Sequence, residues 1–255
     1  MLNGIKALAF DLDGTLYPDY RLNIRLIPFF LTGWRLLWAF GRARGILRAG
    51  GPEKDLPGQE KAPDGLSAPL RARVEKGDFY ENQARLAAGA LGGDPLVIGE
   101  KIERLIYRGW EPFFRKIRLF PQIRETLESL RAAGLKTGLL SDFPPETKLE
   151  YLGIADLWDA VLCSERVGAL KPDPRPFGEL AAALSLKPEQ ILYVGNSFRF
   201  DVAGAKGAGM KAAWLTGRAR RNKTASAGIA AGAGGAVRAD FSFFNYRQLL
   251  EYVLG

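Results

Sequence analysis

Short apolar runs alternate with helix-length amphipathic segments after residue 118, and this alternation constrains the fold more than any other feature. The predicted strands, after a first buried strand at Ile5–Asp11, are Lys136–Leu140, Ala160–Cys163, Gln190–Val194 and Lys211–Leu215. Strands that alternate with helices predict parallel βαβ units, with helices on both faces of an open twisted sheet. The sequence therefore predicts an α/β fold.

Polar residues follow each of the first four predicted strands. In sheets of this kind, ligands bind at the carboxyl ends of the strands. The candidate site residues are Asp11, Asp13 and Thr15 after the first strand, Ser141 and Asp142 after the second, Lys171 beyond the third, and Asn196 and Asp201 after the fourth. We expect these side chains to share one edge of the sheet.

The amino-acid composition limits the chemistry that such a site can perform. The chain has no His and one Cys, which excludes Ser-His-Asp machinery, His-ligated metals and thiolate zinc clusters. Asp11 and Asp13 can divide nucleophilic and proton-transfer roles if their environments separate their pKa values. Ser and Lys side chains suit phosphoryl oxygens, and Asp11 and Asn196 offer oxygen ligands suited to Mg²⁺. The set indicates metal-assisted phosphoryl transfer through an aspartyl-phosphate.

These motifs resemble those of the haloacid dehalogenase (HAD) superfamily. Asp11-Leu12-Asp13-Gly14-Thr15-Leu16 is similar to its first motif, and Ser141 to its second. Lys171-Pro172-Asp173-Pro174 is similar to the third, and Gly195-Asn196-Ser197 with Asp201 to the fourth. The four motifs occur in order and the resemblance covers about residues 1–20 and 118–216.

The resemblance implies a Rossmann-like core, at 1–16 and 119–255, with an α-helical cap inserted at 17–118. A Pro/Gly-rich loop falls at about 50–69 within that insertion. By resemblance, Asp11 is the nucleophile and a Mg²⁺ ligand, and Asp13 is the general acid/base with its backbone carbonyl on the metal. Thr15 braces the loop. Ser141 and Lys171 hold the phosphoryl group, and Asp142 contributes its backbone N–H. A carboxylate at Asp13 favours phosphate chemistry over dehalogenation.

Asn196 departs from the family pattern, which has Asp at this position. Asn keeps a carbonyl oxygen but removes one negative charge beside the metal. The substitution is either a tolerated variant, with a larger role for Asp201 as a ligand or through a water, or the mark of a weakened enzyme.

Positive charge concentrates in the inserted region. The whole chain has a net charge of +8, of which residues 17–118 carry +6, from 18 Lys+Arg and 12 Asp+Glu. Residues 21–50 contain six Arg and no acid. Three interpretations stay open: a solvated helix face, peripheral contact with an anionic membrane, or attraction of an anionic substrate. Nucleic acid is not expected, because no recognised binding motif accompanies the charge.

Other features concern burial and location. Trp34, Trp38 and Phe40 are expected to lie in the core of the cap, and Cys163 to be a buried strand residue.

No segment reads as a signal peptide or a spanning helix. The single Cys fits a reducing compartment, so the expected location is cytoplasmic.

The sequence therefore predicts a Mg²⁺-dependent phosphatase that acts on a small phosphorylated metabolite. Two alternatives remain at this point: a phosphomutase of the same superfamily, and a catalytically weak HAD-like protein that binds a ligand or a membrane.

Overall fold

The computed structural model describes residues 2–50, 78–217, 229–232 and 235–255. The chain forms two compact units. The core unit comprises Met1–Tyr20, Ile117–Ser164 and Lys171–Gly255, and the helical unit comprises Arg21–Lys116 and Glu165–Leu170. The predicted loop at about 50–69 lies outside the described residues, apart from its first position.

A six-stranded parallel sheet organises the core unit, as the alternating pattern predicted. The strands are β1 (Ala7–Phe10), β2 (Lys136–Ser141), β3 (Ala160–Cys163), β4 (Ile191–Gly195), β5 (Lys211–Leu215) and β8 (Phe241–Phe243). Their order in the sheet is β3-β2-β1-β4-β5-β8. The apolar runs form strands because they are short and are buried by helices on both faces. All four residues of β1 are fully buried between β2 and β4.

Helices cover the sheet of the core unit. They are α4 (Ile123–Ala132), α5 (Glu146–Leu152), α7 (Pro174–Ala183), α8 (Ala203–Gly207) and α9 (Tyr246–Leu254), with a π-helical turn at Phe198–Val202 and 3₁₀ turns at Ala155–Leu157 and Pro188–Gln190. Asp173 caps α7 by accepting a hydrogen bond from the Arg175 N–H. One buried cluster joins Phe177 and Leu180 of α7 to Tyr193 and Trp214 of the sheet. Cys163 is buried, as expected.

In its described residues, the helical unit consists of helices and short helical turns. Its elements are α1 (Asp19–Arg48, begun in the core unit), α2 (Asp78–Leu91), α3 (Pro95–Ile102), a π-helical turn at Glu103–Tyr107, a short α turn at Arg108–Trp110, a 3₁₀ segment at Glu111–Lys116, and α6 (Ser164–Val167) at the border of the units. Asp94-Pro95 is a good N-cap and first-turn pair and predicts a helix to about Trp110, which is confirmed, with Asp94 as the N-cap. The pattern over residues 70–91 also predicts a helix, which is confirmed from Asp78; residues 70–77 lie outside the described part.

The expectation that Trp34 and Trp38 are buried was wrong. Both are more than half exposed, whereas Phe40 is buried as expected. The reason is helical phase, because α1 is continuous and its buried side is formed by other positions. Those positions are Leu22, Leu26, Leu36, Ala39, Phe40 and Ala43. Within the described residues, no helix combines the length and hydropathy required of a membrane span.

The Gly/Ala-rich composition of residues 217–236 predicts a second loop, and this prediction also needs correction. The structure has a two-stranded antiparallel sheet of β6 (Ile229–Gly232) and β7 (Gly235–Arg238) there. Small residues without apolar alternation gave no strand signal in the sequence. Residues 218–228 and 233–234 lie outside the described part.

Candidate active site

A buried ammonium group lies between two carboxylates at the carboxyl ends of β1 and β4. Lys171 Nζ donates to Asp11 Oδ1 at 2.6 Å and to Asp201 Oδ1 at 2.8 Å. All three side chains are almost entirely buried. The two Asp follow neighbouring strands, and the chain beyond β3 returns to place Lys171 between them. Three residues that are far apart in sequence therefore form one contact.

Thr15 joins the first and fourth motifs. Its hydroxyl donates to Asp11 Oδ2 at 2.8 Å and accepts from the Asn196 N–H at 3.1 Å. Asn196 Oδ1 lies 3.3 Å from the same hydroxyl. Gly14 permits this approach, because a Cβ at that position would lie 2.3 Å from Asn196 Nδ2 and its φ is +86°.

Asp201 is bound by the protein through both of its carboxylate oxygens. Oδ1 accepts from Lys171, and Oδ2 accepts from the Ser197 N–H at 2.9 Å. The π-helical turn returns the chain toward β4, where a Cβ on Gly195 would lie 2.3 Å from Asp201 Cβ. The missing side chain at Gly195 therefore allows Asp201 to reach Lys171.

Asp13 has two partners that the sequence analysis did not identify. Lys148 Nζ on α5 lies 2.8 and 2.9 Å from its two carboxylate oxygens, and the Tyr17 hydroxyl donates to Oδ1. The buried Ser141 hydroxyl lies 3.5 Å from Asp13 Oδ2 and accepts from the Phe143 N–H. Lys148 lies in no recognised motif. A basic residue on the helix after the second motif was the only available signal.

Asp142 contacts the backbone and adds negative charge near the Lys171 ammonium. Its Oδ1 accepts a hydrogen bond from the Lys171 backbone N–H at 3.2 Å. The eight residues selected from the sequence thus form two hydrogen-bonded groups at the same strand ends, one around Lys171 and Thr15 and the other around Asp13.

The two aspartates of the first motif have opposite pKa shifts. Burial raises the pKa of Asp11 to about 7, against the opposing effect of the Lys171 ammonium, and the Asp201 and Asp13 carboxylates add to the rise. Burial also acts to raise the pKa of Asp13, but the charge and hydrogen bonds of Lys148, with the Tyr17 hydrogen bond, outweigh it and lower that pKa. For Lys171, burial opposes a pKa rise that Asp11 and Asp201 cause.

The donor set suits a hard divalent cation. Four carboxylates, Asp11, Asp13, Asp142 and Asp201, lie near two ammonium groups, Lys148 and Lys171, which leaves two net negative charges when all are ionised. Among the described residues, no three carboxylates converge around a common point. A cation would therefore need amide or backbone oxygens as well, and Mg²⁺ accepts few protein carboxylates and keeps several waters.

A pocket of about 760 Å³ adjoins Asn196 and Gly14 in the core unit. Its wall includes Phe120, Gln122 and Trp214. The Trp214 indole N–H donates to the Asn196 carbonyl at 3.0 Å, so the pocket wall also positions the fourth motif.

Comparison with known proteins identifies similar sequences and structures. The family model described as haloacid dehalogenase-like hydrolase matches residues 5–209. A glyceraldehyde 3-phosphate phosphatase of Methanopyrus kandleri is 31% identical over 226 residues, which is 86% of this chain and 85% of that protein. A phosphoglycolate phosphatase of Salmonella typhi is 28% identical over 230 residues, 84% and 82% of the two chains.

A solved structure resembles the whole chain. The crystal structure of a HAD phosphatase from Thermococcus onnurineus has a TM-score of 0.57 and 25% sequence identity, and covers 98% of this chain and 99% of its own.

Proposed function

The chain belongs to the haloacid dehalogenase-like hydrolase family, and from that premise we propose that it hydrolyses a small phosphorylated metabolite through an aspartyl-phosphate on Asp11. Its relatives make it a hydrolase of the phosphatase branch. The observation that carries the finer proposal is the Lys171 ammonium 2.6 Å from the Asp11 carboxylate. That contact orients the nucleophile and puts a positive charge where phosphoryl oxygens would lie.

In the first step, Asp11 attacks phosphorus, the bond from phosphorus to the ester oxygen breaks, and Asp13 gives its proton to the leaving oxygen. In the second, Asp13 takes a proton from water as that water attacks the aspartyl-phosphate. Inorganic phosphate leaves and the Asp11 carboxylate is restored. Lys171 and Ser141 bind the phosphoryl oxygens in both steps.

The partners of Asp13 favour the second step. Lys148 and Tyr17 hold this side chain as a carboxylate, the form that accepts a proton from water. A general acid must first carry a proton, so the same contacts oppose the first step. We expect Lys148 to move from Asp13 toward the substrate phosphate, an anion that competes for the same ammonium.

The proposed cofactor is Mg²⁺, held by the Asp11 carboxylate, the Asp13 backbone carbonyl and the Asn196 side-chain oxygen. When bound, this cation reduces the repulsion between the Asp11 carboxylate and the phosphate. We place Asp201 behind these ligands, because both its oxygens already accept hydrogen bonds from Lys171 and Ser197.

Release of phosphate from p-nitrophenyl phosphate, with and without Mg²⁺, tests the proposal. We expect Asp11→Asn to abolish release and Asp13→Asn to lower kcat by about 10²- to 10⁴-fold, the usual contribution of a general acid/base. Asp173→Asn is the matched control, because this helix cap lies outside both site groups and Asn also caps helices.

A panel of phosphate esters then addresses the substrate. The names of the two curated relatives place glyceraldehyde 3-phosphate and phosphoglycolate first in the panel. If no ester gives Mg²⁺-dependent release, or if Asp11→Asn releases phosphate at the wild-type rate, the proposed function is wrong.

A further inference from the structure

We infer that one face of α1 binds the surface of an anionic lipid bilayer. The face carries five large apolar side chains, the α1 stripe, whose exposed fractions are 60%, 49%, 75%, 61% and 52% for Ile24, Ile27, Leu31, Trp34 and Trp38. Such a continuous row is unusual, since exposed apolar residues of soluble proteins are mostly scattered singly.

The spacing of the stripe makes it a single narrow surface. Its residues are separated alternately by three and four positions, and at 3.6 residues per turn they fall within an arc of about 80°. Along the axis they extend about 21 Å, at 1.5 Å per residue. The buried residues of α1 lie on other faces, so the helix packs through those and presents the stripe outward.

Arginines border the stripe. Arg35 and Arg42 lie along one edge, with Arg21 one step further round the helix, and all three are exposed. The Arg42 guanidinium stacks 5.9 Å from the ring centre of Trp38. No Asp or Glu occurs between Asp19 and Glu53. An apolar strip with Trp, edged by Arg, is typical of a helix that lies in the interface of an anionic membrane.

Charge argues against a second copy of the chain as the occupant. The alternating spacing is also that of a coiled-coil seam, in which residues flanking the seam pair with opposite charges on the partner helix. Here the flanking positions contain no acid; they are Arg21, Pro28, Arg35 and Arg42 on one side and Asn23, Phe30 and Leu37 on the other. A second α1 would bring Arg against Arg or against apolar groups, whereas lipid phosphates supply the complementary charge.

Co-sedimentation of the full chain with vesicles tests the inference. One vesicle is phosphatidylcholine alone, and the other is equal parts phosphatidylcholine and phosphatidylglycerol. We expect binding to the mixed vesicle, little binding to phosphatidylcholine, and release by salt. Arg35→Gln/Arg42→Gln should weaken binding by about thirtyfold, because each Arg near an anionic surface contributes about fivefold.

A matched pair of variants distinguishes binding through the α1 stripe from nonspecific binding through any exposed apolar residues. Leu31→Glu/Trp34→Glu should lose binding to the mixed vesicle. Leu96→Glu/Val97→Glu makes the same change in charge on exposed apolar residues of α3 and should retain binding within a few-fold after allowance for net charge. Circular dichroism and the thermal midpoint report folding for each variant, since all four positions are exposed.

Three results would overturn the inference. The first is equal recovery with both vesicles, and the second is no recovery with either. The third is a dimer, seen by sedimentation velocity, in a protein that does not bind vesicles. If Leu31→Glu/Trp34→Glu dissociates that dimer, the stripe would be assigned to a second copy of the chain. None of these depends on phosphatase activity, so the inference and the proposed function fail separately.

Discussion

Lys148 contacts both carboxylate oxygens of Asp13 and is proposed to move to the substrate phosphate, so its replacement measures what these two contacts contribute together. We expect Lys148→Met to lower kcat with a phosphate ester by about 10- to 100-fold, the equivalent of one charged hydrogen bond at about 1.4 kcal/mol per tenfold. Lys148→Arg should restore part of the rate, because a guanidinium can still bind Asp13. Steady-state kinetics on the purified variants provides the measurement.

Lys206→Met is the matched control for Lys148. Lys206 also pairs with an aspartate, Asp240 at 2.9 Å, but outside the site groups, and a partly exposed pair contributes about 0–1 kcal/mol to stability. Equal losses of rate in Lys148→Met and Lys206→Met would show that the effect is one of general stability and would contradict a positioning role for Lys148.

Replacement of Asn196 by a charged residue tests the proposed cation site, because it adds one negative charge there. Asn196→Asp keeps the shape of the side chain, whose terminal atom lies where a Cβ on Gly14 would be only 2.3 Å away. If Asn196 is a ligand, the extra negative charge should lower the Mg²⁺ concentration that gives half-maximal activity. A titration with Mg²⁺ compares the two proteins. An unchanged half-maximal concentration would remove Asn196 from the ligand set.

For single residues, the motifs predicted which polar side chains lie close together, because each motif follows a strand and the carboxyl ends of parallel strands share one edge of the sheet. They could not predict Lys148 or Tyr17 as partners of Asp13. Both positions depend on how α5 and the turn after Asp13 pack, and a Lys or Tyr in those segments is unremarkable in the sequence. Nor did the sequence show that both oxygens of Asp201 are occupied by the protein.

Among the elements, α1 and α6 are joined by a buried ion pair within the helical unit. Arg44 donates to Glu165, which also accepts from the Tyr107 hydroxyl at 2.9 Å. The Gln83 amide donates to that hydroxyl at 2.9 Å. The Arg44 guanidinium also lies 5.4 Å from the ring centre of Phe40. The arrangement links four separate segments of the unit through one charged network.

Removal of one charged partner of this ion pair should therefore strongly lower the stability of the helical unit. We expect Arg44→Met to lower the free energy of unfolding of the helical unit by about 3–5 kcal/mol, because the buried Glu165 carboxylate would lose the Arg44 charge. Denaturant unfolding measures the change. Arg85→Met, which breaks the half-exposed pair with Glu81, should cost about 0–1 kcal/mol.

The double variant distinguishes the ion pair from packing alone. Arg44→Met/Glu165→Leu removes both charges and should recover most of the loss, since an apolar pair of similar volume often replaces a buried ion pair without penalty. A double variant as unstable as the sum of the two single variants would mean that the loss comes from packing, not from an unpaired charge.

Element boundaries in the core were predictable because a Gly or a charged residue lies within two positions of each end of every apolar run. The helical unit was harder to predict from sequence. Pro28 and Gly33 interrupt the apolar stretch of residues 26–40, yet α1 continues through both. Its exposed tryptophans were expected inside because Trp is usually buried, and only the phase of the whole helix shows that these two face outward.

For the whole molecule, a bound cation should appear as added stability. We expect Mg²⁺ at about 100 times its Kd to add about 2.7 kcal/mol to the free energy of unfolding of the unit that holds it. Thermal unfolding with MgCl₂, against NaCl at the same ionic strength, measures this as a rise of about 5–10 °C. Asp11→Asn should lose the rise. A rise that Asp11→Asn retains would place the cation elsewhere.

The order of the sheet has a consequence for synthesis on the ribosome. β1 precedes every other strand of the six-stranded sheet in the chain, yet both of its neighbours, β2 and β4, begin more than 120 residues later. At about 5–20 residues per second, the wait for β2 alone is roughly 6–25 s. During that interval the apolar strand has two unpaired edges while the residues of α1 to α3 are being synthesised. The strand is therefore exposed to aggregation until β2 is translated.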